Sequence, residues 1–124
     1  MIDLQNGFFK LSPVDPASLM PKVGPLLVEG ESIVAAFKAI RDSVVFTNKR
    51  VIAINVQGIT GKKTDFTSLP YSKLQAYSVE TAGTFDRDSE LDLFFSGGIG
   101  PIRFELKGNC DILALSKLIS AYIL

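Results

Sequence analysis

The sequence predicts a mainly β domain: about seven bent antiparallel strands capped by a C-terminal α-helix, preceded by a partly helical N-terminal extension. Three observations carry this expectation. Short runs rich in β-branched and aromatic residues recur, as in "SIVAAFKAIR", "VVFT" and "RVIAINVQ". Glycine, proline and asparagine punctuate them at short spacing. Near the end, the apolar period lengthens from that of a strand to that of a helix.

Four prolines, Pro13, Pro16, Pro21 and Pro25, set residues 1–28 apart as an irregular extension ahead of a main domain over 29–124. Asp15 is placed to cap a short helix with Pro16 at its first position, and Pro21 and Pro25 would cut that helix short. Strands then follow. "RDS" at Arg41 to Ser43 reads as a tight reversal, and Asn48 as a turn residue that tolerates left-handed backbone. The stretch "VQGITGKKTDF" holds Gly58 and Gly61 where a hairpin needs positive φ, and Pro70 marks a strand boundary because it has no N–H for a ladder. "ELDLFF" places Leu91, Leu93 and Phe95 on one face. "IRFELK" alternates cleanly, with Ile102, Phe104 and Leu106 inward. Asp111 caps the final helix, where Ile112, Leu115, Ile119 and Tyr122 follow one stripe widened by Leu118 and Ile123.

Composition narrows function by exclusion. The chain has 124 residues, enough for one core, with 13 basic and 13 acidic side chains, a balance that argues against a nucleic-acid binder. Histidine is absent, which removes the commonest general base and every Ser/His or Cys/His nucleophile pair. The single cysteine, Cys110, has no internal disulfide partner and reads as a small buried apolar residue in a reducing compartment. No secretory leader and no membrane-length apolar run is visible. The expectation is a soluble, cytoplasmic, non-enzymatic protein with no catalytic residues, cofactor or metal.

Two motifs imitate functional loops and fail on chemistry. A phosphate-cradling loop ending in Gly61-Lys62 requires glycine where Val56 stands and a hydroxyl where Lys63 stands. The acidic run "DRDSELD" offers Asp86, Asp88, Glu90 and Asp92 in the manner of a calcium loop. Leu91 and Gly97 occupy the positions where glycine and a bidentate glutamate are needed, so a solvated acidic edge is the simpler reading.

The run "RDSVVFTNKRVIAINVQGITGKKTDF" and the following "LPYSKLQAYSVETAGTFDRDSELDL" closely resemble the bacterial pleckstrin-homology-like (PH-like) family, formerly a domain of unknown function. The resemblance runs from about Glu29 to the C-terminus and rests on the words TNKR, QG.TGKK, PY and SVETAG.FD.DSEL. Asn55 and Val51 depart from the acidic residue and leucine that relatives often carry there. The resemblance implies a PH-like barrel and assembly into cyclic homo-oligomers.

Two interaction readings follow. Phe94 alternates away from the core, and the last helix is apolar around more than half its circumference. Phe94, Leu118, Tyr122 and Ile123 are therefore the expected surface for self-association, with another protein as a further partner. The alternative is a membrane-surface or anionic-ligand module in which Lys49, Arg50, Lys62 and Lys63 gather at one end of the barrel. Against it, "RDS" is short and carries Asp42, and Arg50 has the reach to pair with a carboxylate across the sheet.

Overall fold

The computed structural model describes residues 7–58, 63–83, 87–108 and 110–124. Eight strands are present: β1 (Phe8–Val14), β2 (Ile33–Lys38), β3 (Asp42–Thr47), β4 (Arg50–Gln57), β5 (Lys63–Pro70), β6 (Leu74–Glu80), β7 (Ser89–Phe95) and β8 (Gly100–Leu106). They form one sheet in the order β5-β4-β3-β2-β1-β8-β7-β6. The sheet does not close, so β5 and β6 remain its two edges. Every pairing is antiparallel except β1 with β8, which run parallel.

β1 is the departure from the sequence expectation, which placed residues 8–14 in an irregular extension and counted about seven strands. It joins the β2–β5 and β6–β8 halves into a continuous layer. Phe8 stacks on Phe104 of β8 with ring centroids 5.1 Å apart, and Ser12 to Val14 pair with Lys38 to Ala36 of β2. Immediately before it, Gly7 has φ +71°, and a Cβ there would lie 2.8 Å from the Arg103 carbonyl oxygen. That approach requires glycine.

The rest of the N-terminal segment is helical in short pieces, as its prolines dictate. A 3-10 turn spans Pro16–Leu19, α1 spans Met20–Val23, and a second 3-10 turn spans Gly24–Leu26. The Asp15 side chain accepts from Ala17 N at 3.0 Å, and a proline opens each piece.

These turns cover the outer face of β2–β4. Leu19 and Val23 pack there with Ala36, Val45, Ile52 and Ile54. The inner faces of the same strands, through Phe37, Val44, Phe46, Val51 and Ala53, join the main core with β1, β7 and β8. Burial on both faces explains why "VVF" and "VIAI" are continuously apolar instead of alternating. The core is closed by α2 (Ile112–Ile123). Its Asp111 cap accepts from Ala114 N at 3.1 Å, and it buries Ile112, Leu115 and Ile119.

Turn chemistry differs from expectation at two places. The reversal expected at Arg41 to Ser43 falls earlier, at residues 39–41, where Ala39 N donates to Asp42 O at 2.8 Å, and Asp42 and Ser43 already pair with Asn55 and Ile54 in β3. Asn48 does not use left-handed backbone; among the described residues only Lys10 does so without being glycine. Asn48 holds its turn with its side chain instead, Nδ2 donating to Gly30 O at 2.9 Å and Oδ1 accepting from Ser32 N at 2.9 Å. Gly58 has the expected positive φ, whereas Gly61 lies outside the described residues.

Candidate functional site

Among the described residues the basic side chains do not assemble. β4 and β5 form a hairpin in which Arg50 lies opposite Pro70 and Lys63 opposite Gln57. From position 50 to position 57 is seven steps of about 3.3 Å, so the two basic positions sit about 23 Å apart at opposite ends of the strand pair. Lys62 lies outside the described residues. Lys49 and Lys63 are exposed, and the expected gathering at one end is not formed.

Arg50 is committed to the fold. Its Nε and Nη2 donate to the two carboxylate oxygens of Glu31, each at 2.9 Å. Nη2 also donates to Leu26 O at 2.8 Å, and Nη1 to Ser68 Oγ at 3.0 Å. The Glu31 side chain is shielded from water and accepts further from Thr47 Oγ1 at 2.7 Å and Val28 N at 3.1 Å. Burial raises the Glu31 carboxyl, but the hydrogen bonds from Arg50, Thr47 and Val28 outweigh it and hold the group below its ordinary value. Tyr71 extends the knot by donating to Thr47 O at 2.8 Å, and burial pushes its phenol up. The sequence allowed Arg50 a carboxylate across the sheet; the partner it could not name is Glu31.

Of the acidic run, Glu90 and Asp92 lie on the outer face of β7 and face strand neighbours. Asp92 pairs across to Arg103, whose Nε and Nη2 donate to its two oxygens at 3.0 and 3.2 Å, while Nη1 lies 3.4 Å from Glu90. The cross-strand register aligns Glu80, Glu90 and Glu105 in one row. Burial and the neighbouring Glu80, Asp92 and Glu105 charges raise the Glu90 carboxyl against the pull of Arg103. Asp86 lies outside the described residues.

Exposed apolar side chains form separate surfaces. Phe94, 38% exposed, projects from the outer face of β7 in a row with Ala76 and Pro101. The helix lies on the inner side, so Phe94 is not brought beside it. Leu118 and Tyr122 are 37% and 46% exposed on α2, whereas Ile123 packs against the core. One flank of α2 is tied to β6 by the Tyr77 and Ser120 hydroxyls at 2.6 Å. The other flank, through Ala114 and Leu118, borders an open cleft of about 330 Å³ whose far wall is Pro13, Ala35 and Phe37. Cys110 also lines this cleft; burial and the adjacent Asp111 push its thiol up, away from the thiolate a nucleophile needs. Among the described residues no helix is long and apolar enough to cross a membrane.

Comparison with known proteins adds four findings. The family model for the bacterial PH domain matches residues 4–123. An uncharacterised Bacillus subtilis protein, YjqA, is 44% identical over 111 residues, covering 89% of each chain. A crystal structure of a DUF1696 family protein with a pleckstrin-homology domain from Shewanella loihica superposes with a TM-score of 0.81 at 41% identity, covering 94% of this chain and 99% of that one. A pleckstrin homology domain from Shewanella amazonensis gives 0.67 at 44% identity, covering 90% of each.

Proposed function

Because the chain belongs to the bacterial PH domain family, we propose that it is a non-enzymatic interaction module. It self-assembles into a homo-oligomer, with a cyclic ring as the closed form, and presents surfaces to another protein. The observation that carries this reading is apolar surface left over after the core is filled. Phe94 on the sheet and Leu113, Leu118 and Tyr122 on the helix all remain more than a third exposed. A contiguous apolar patch marks contact with another chain, and the helix residues Leu118 and Tyr122, at i and i+4, are the part of this surface that lies together. Removing it from water stabilises an assembly by about 25 cal/mol per Å², against an association cost of about 4–15 kcal/mol. Cyclic closure satisfies every subunit without open filament growth.

Supporting the non-enzymatic part, histidine is absent and the single thiol is pushed away from reactivity. An unpaired cysteine suits a reducing compartment such as the cytoplasm. Size-exclusion chromatography with light scattering tests the assembly. The expected mass is a multiple of 13.5 kDa, reduced by Phe94→Glu combined with Tyr122→Glu while the circular dichroism spectrum is retained. A wild-type mass of one chain at micromolar concentration refutes it.

A further inference from the structure

The open sheet has two edges of different character. β5 begins with Lys63, ends with Pro70, and spends Ser68 on Arg50. Lysine and proline are common guards of a strand edge. β6, with the sequence LQAYSVE, has neither and, among the described residues, pairs only with β7. Its backbone is therefore left open to a further strand.

The side chains beside that edge are ordered in rows by the register. Ala76 lies level with Phe94 and Pro101, Ser78 with Asp92 and Arg103, and Glu80 with Glu90 and Glu105. Like charges directly opposite one another are destabilising. From the neighbouring row Arg103 gives two bonds to Asp92 and reaches only Glu90 of the last row, by a looser contact. Glu80 and Glu105 have no ion pair among the described residues. Three carboxylates thus share one guanidinium that is already bonded to Asp92, and on the Glu80 side the open position is the one beyond β6. On the inner side, Tyr77 and Val79 pack against the core, and Tyr77 meets Ser120 of α2. Leu113, 60% exposed, shares that helix side with Ser116 and Ser120 at i, i+3 and i+7.

We propose that β6 is a docking edge for an extended segment of a partner protein that adds as a ninth strand, with Lys or Arg opposite Glu80 and an apolar residue opposite Ala76. Because side chains on one face recur every second residue, the two anchors are four residues apart in the partner. The intervening outward residue meets Ser78, and apolar inward residues meet Tyr77 and Leu113. Main-chain hydrogen bonds supply affinity, and the two rows supply selection. This rests on the proposed role as a protein-binding module and not on self-assembly, which light scattering scores separately.

The test pans nine-residue peptides displayed on phage against the full chain. Recovered sequences are expected to carry Lys or Arg four positions from an apolar residue. Synthetic copies should shift the amide signals of residues 74–80 and bind Glu80→Lys at least tenfold more weakly. Replacing the basic peptide residue by Glu should restore binding to that variant. Glu80 is exposed and lies opposite Glu90, so its replacement by lysine should not lower the melting temperature. Failure to enrich any peptide, enrichment without a basic residue, or binding indifferent to Glu80→Lys overturns the proposal. A change in assembled mass on Glu80→Lys also overturns it, since the edge would then be covered by another copy.

Discussion

Replacing Arg50 by methionine keeps much of its apolar stem and removes the guanidinium that joins Glu31, Leu26 O and Ser68. The shielded Glu31 carboxylate is left with only Thr47 and the Val28 N–H. Breaking a buried ion pair from one side costs about 3–5 kcal/mol. The Arg50 side chain is 21% exposed, so water partly compensates and the low end, about 3 kcal/mol, applies. Unfolding entropy near 2.1 cal/mol/K per residue over 124 residues gives about 0.26 kcal/mol/K, hence a fall in Tm of about 12 °C. Differential scanning calorimetry reads it. Adding Glu31→Leu removes the orphaned charge, so the double variant should lose less than Arg50→Met alone. The depressed Glu31 carboxyl contributes stability above its unfolded value near 4.5, and this is lost as pH falls through its lower folded value. The gap between wild type and Arg50→Met should therefore narrow in acid. A fall under about 4 °C, or a double variant worse than the single, refutes the reasoning.

Glu90→Gln should stabilise the fold by about 0.5 kcal/mol at pH 7 by relieving like-charge opposition. Because the Glu90 carboxyl is raised, its penalty is present above the folded value and disappears as pH falls through it, so the advantage should vanish near pH 4 in urea titrations. Gly7→Ala should loosen β1, since the added Cβ meets the Arg103 carbonyl; hydrogen exchange should then accelerate in residues 8–14 more than in β3 or β4.

The alternating strands and the final helix were legible because their signal is local. Ile102, Phe104 and Leu106 are buried as their spacing requires, and so are Leu91, Leu93 and Phe95. Asp111 caps α2 as its position before "ILAL" implies. β1 was not legible because a register shift between Phe8 and Leu11 breaks its alternation, and Pro13 argues against an interior strand. Its phenylalanine pair and the buried Leu11 were the available hint. The placement of the basic residues was not legible because eight-residue strands carry Arg50 and Lys63 to opposite ends of one hairpin, a separation that residue type and spacing alone do not reveal. The Glu31 partnership depends on how the helical turns lie over β2–β4, which no local pattern encodes.

The parallel seam between β1 and β8 has a consequence for how the chain comes together. A strand made early must wait for one made almost last, because Phe8 rests on Phe104 and Leu11 lies beside Leu106. Until then the β2–β5 meander lacks its neighbour on one side. Contacts of such long sequence separation slow folding. Completion during synthesis is therefore held back until the ribosome has released the final third, and the nascent meander is the species a chaperone would meet.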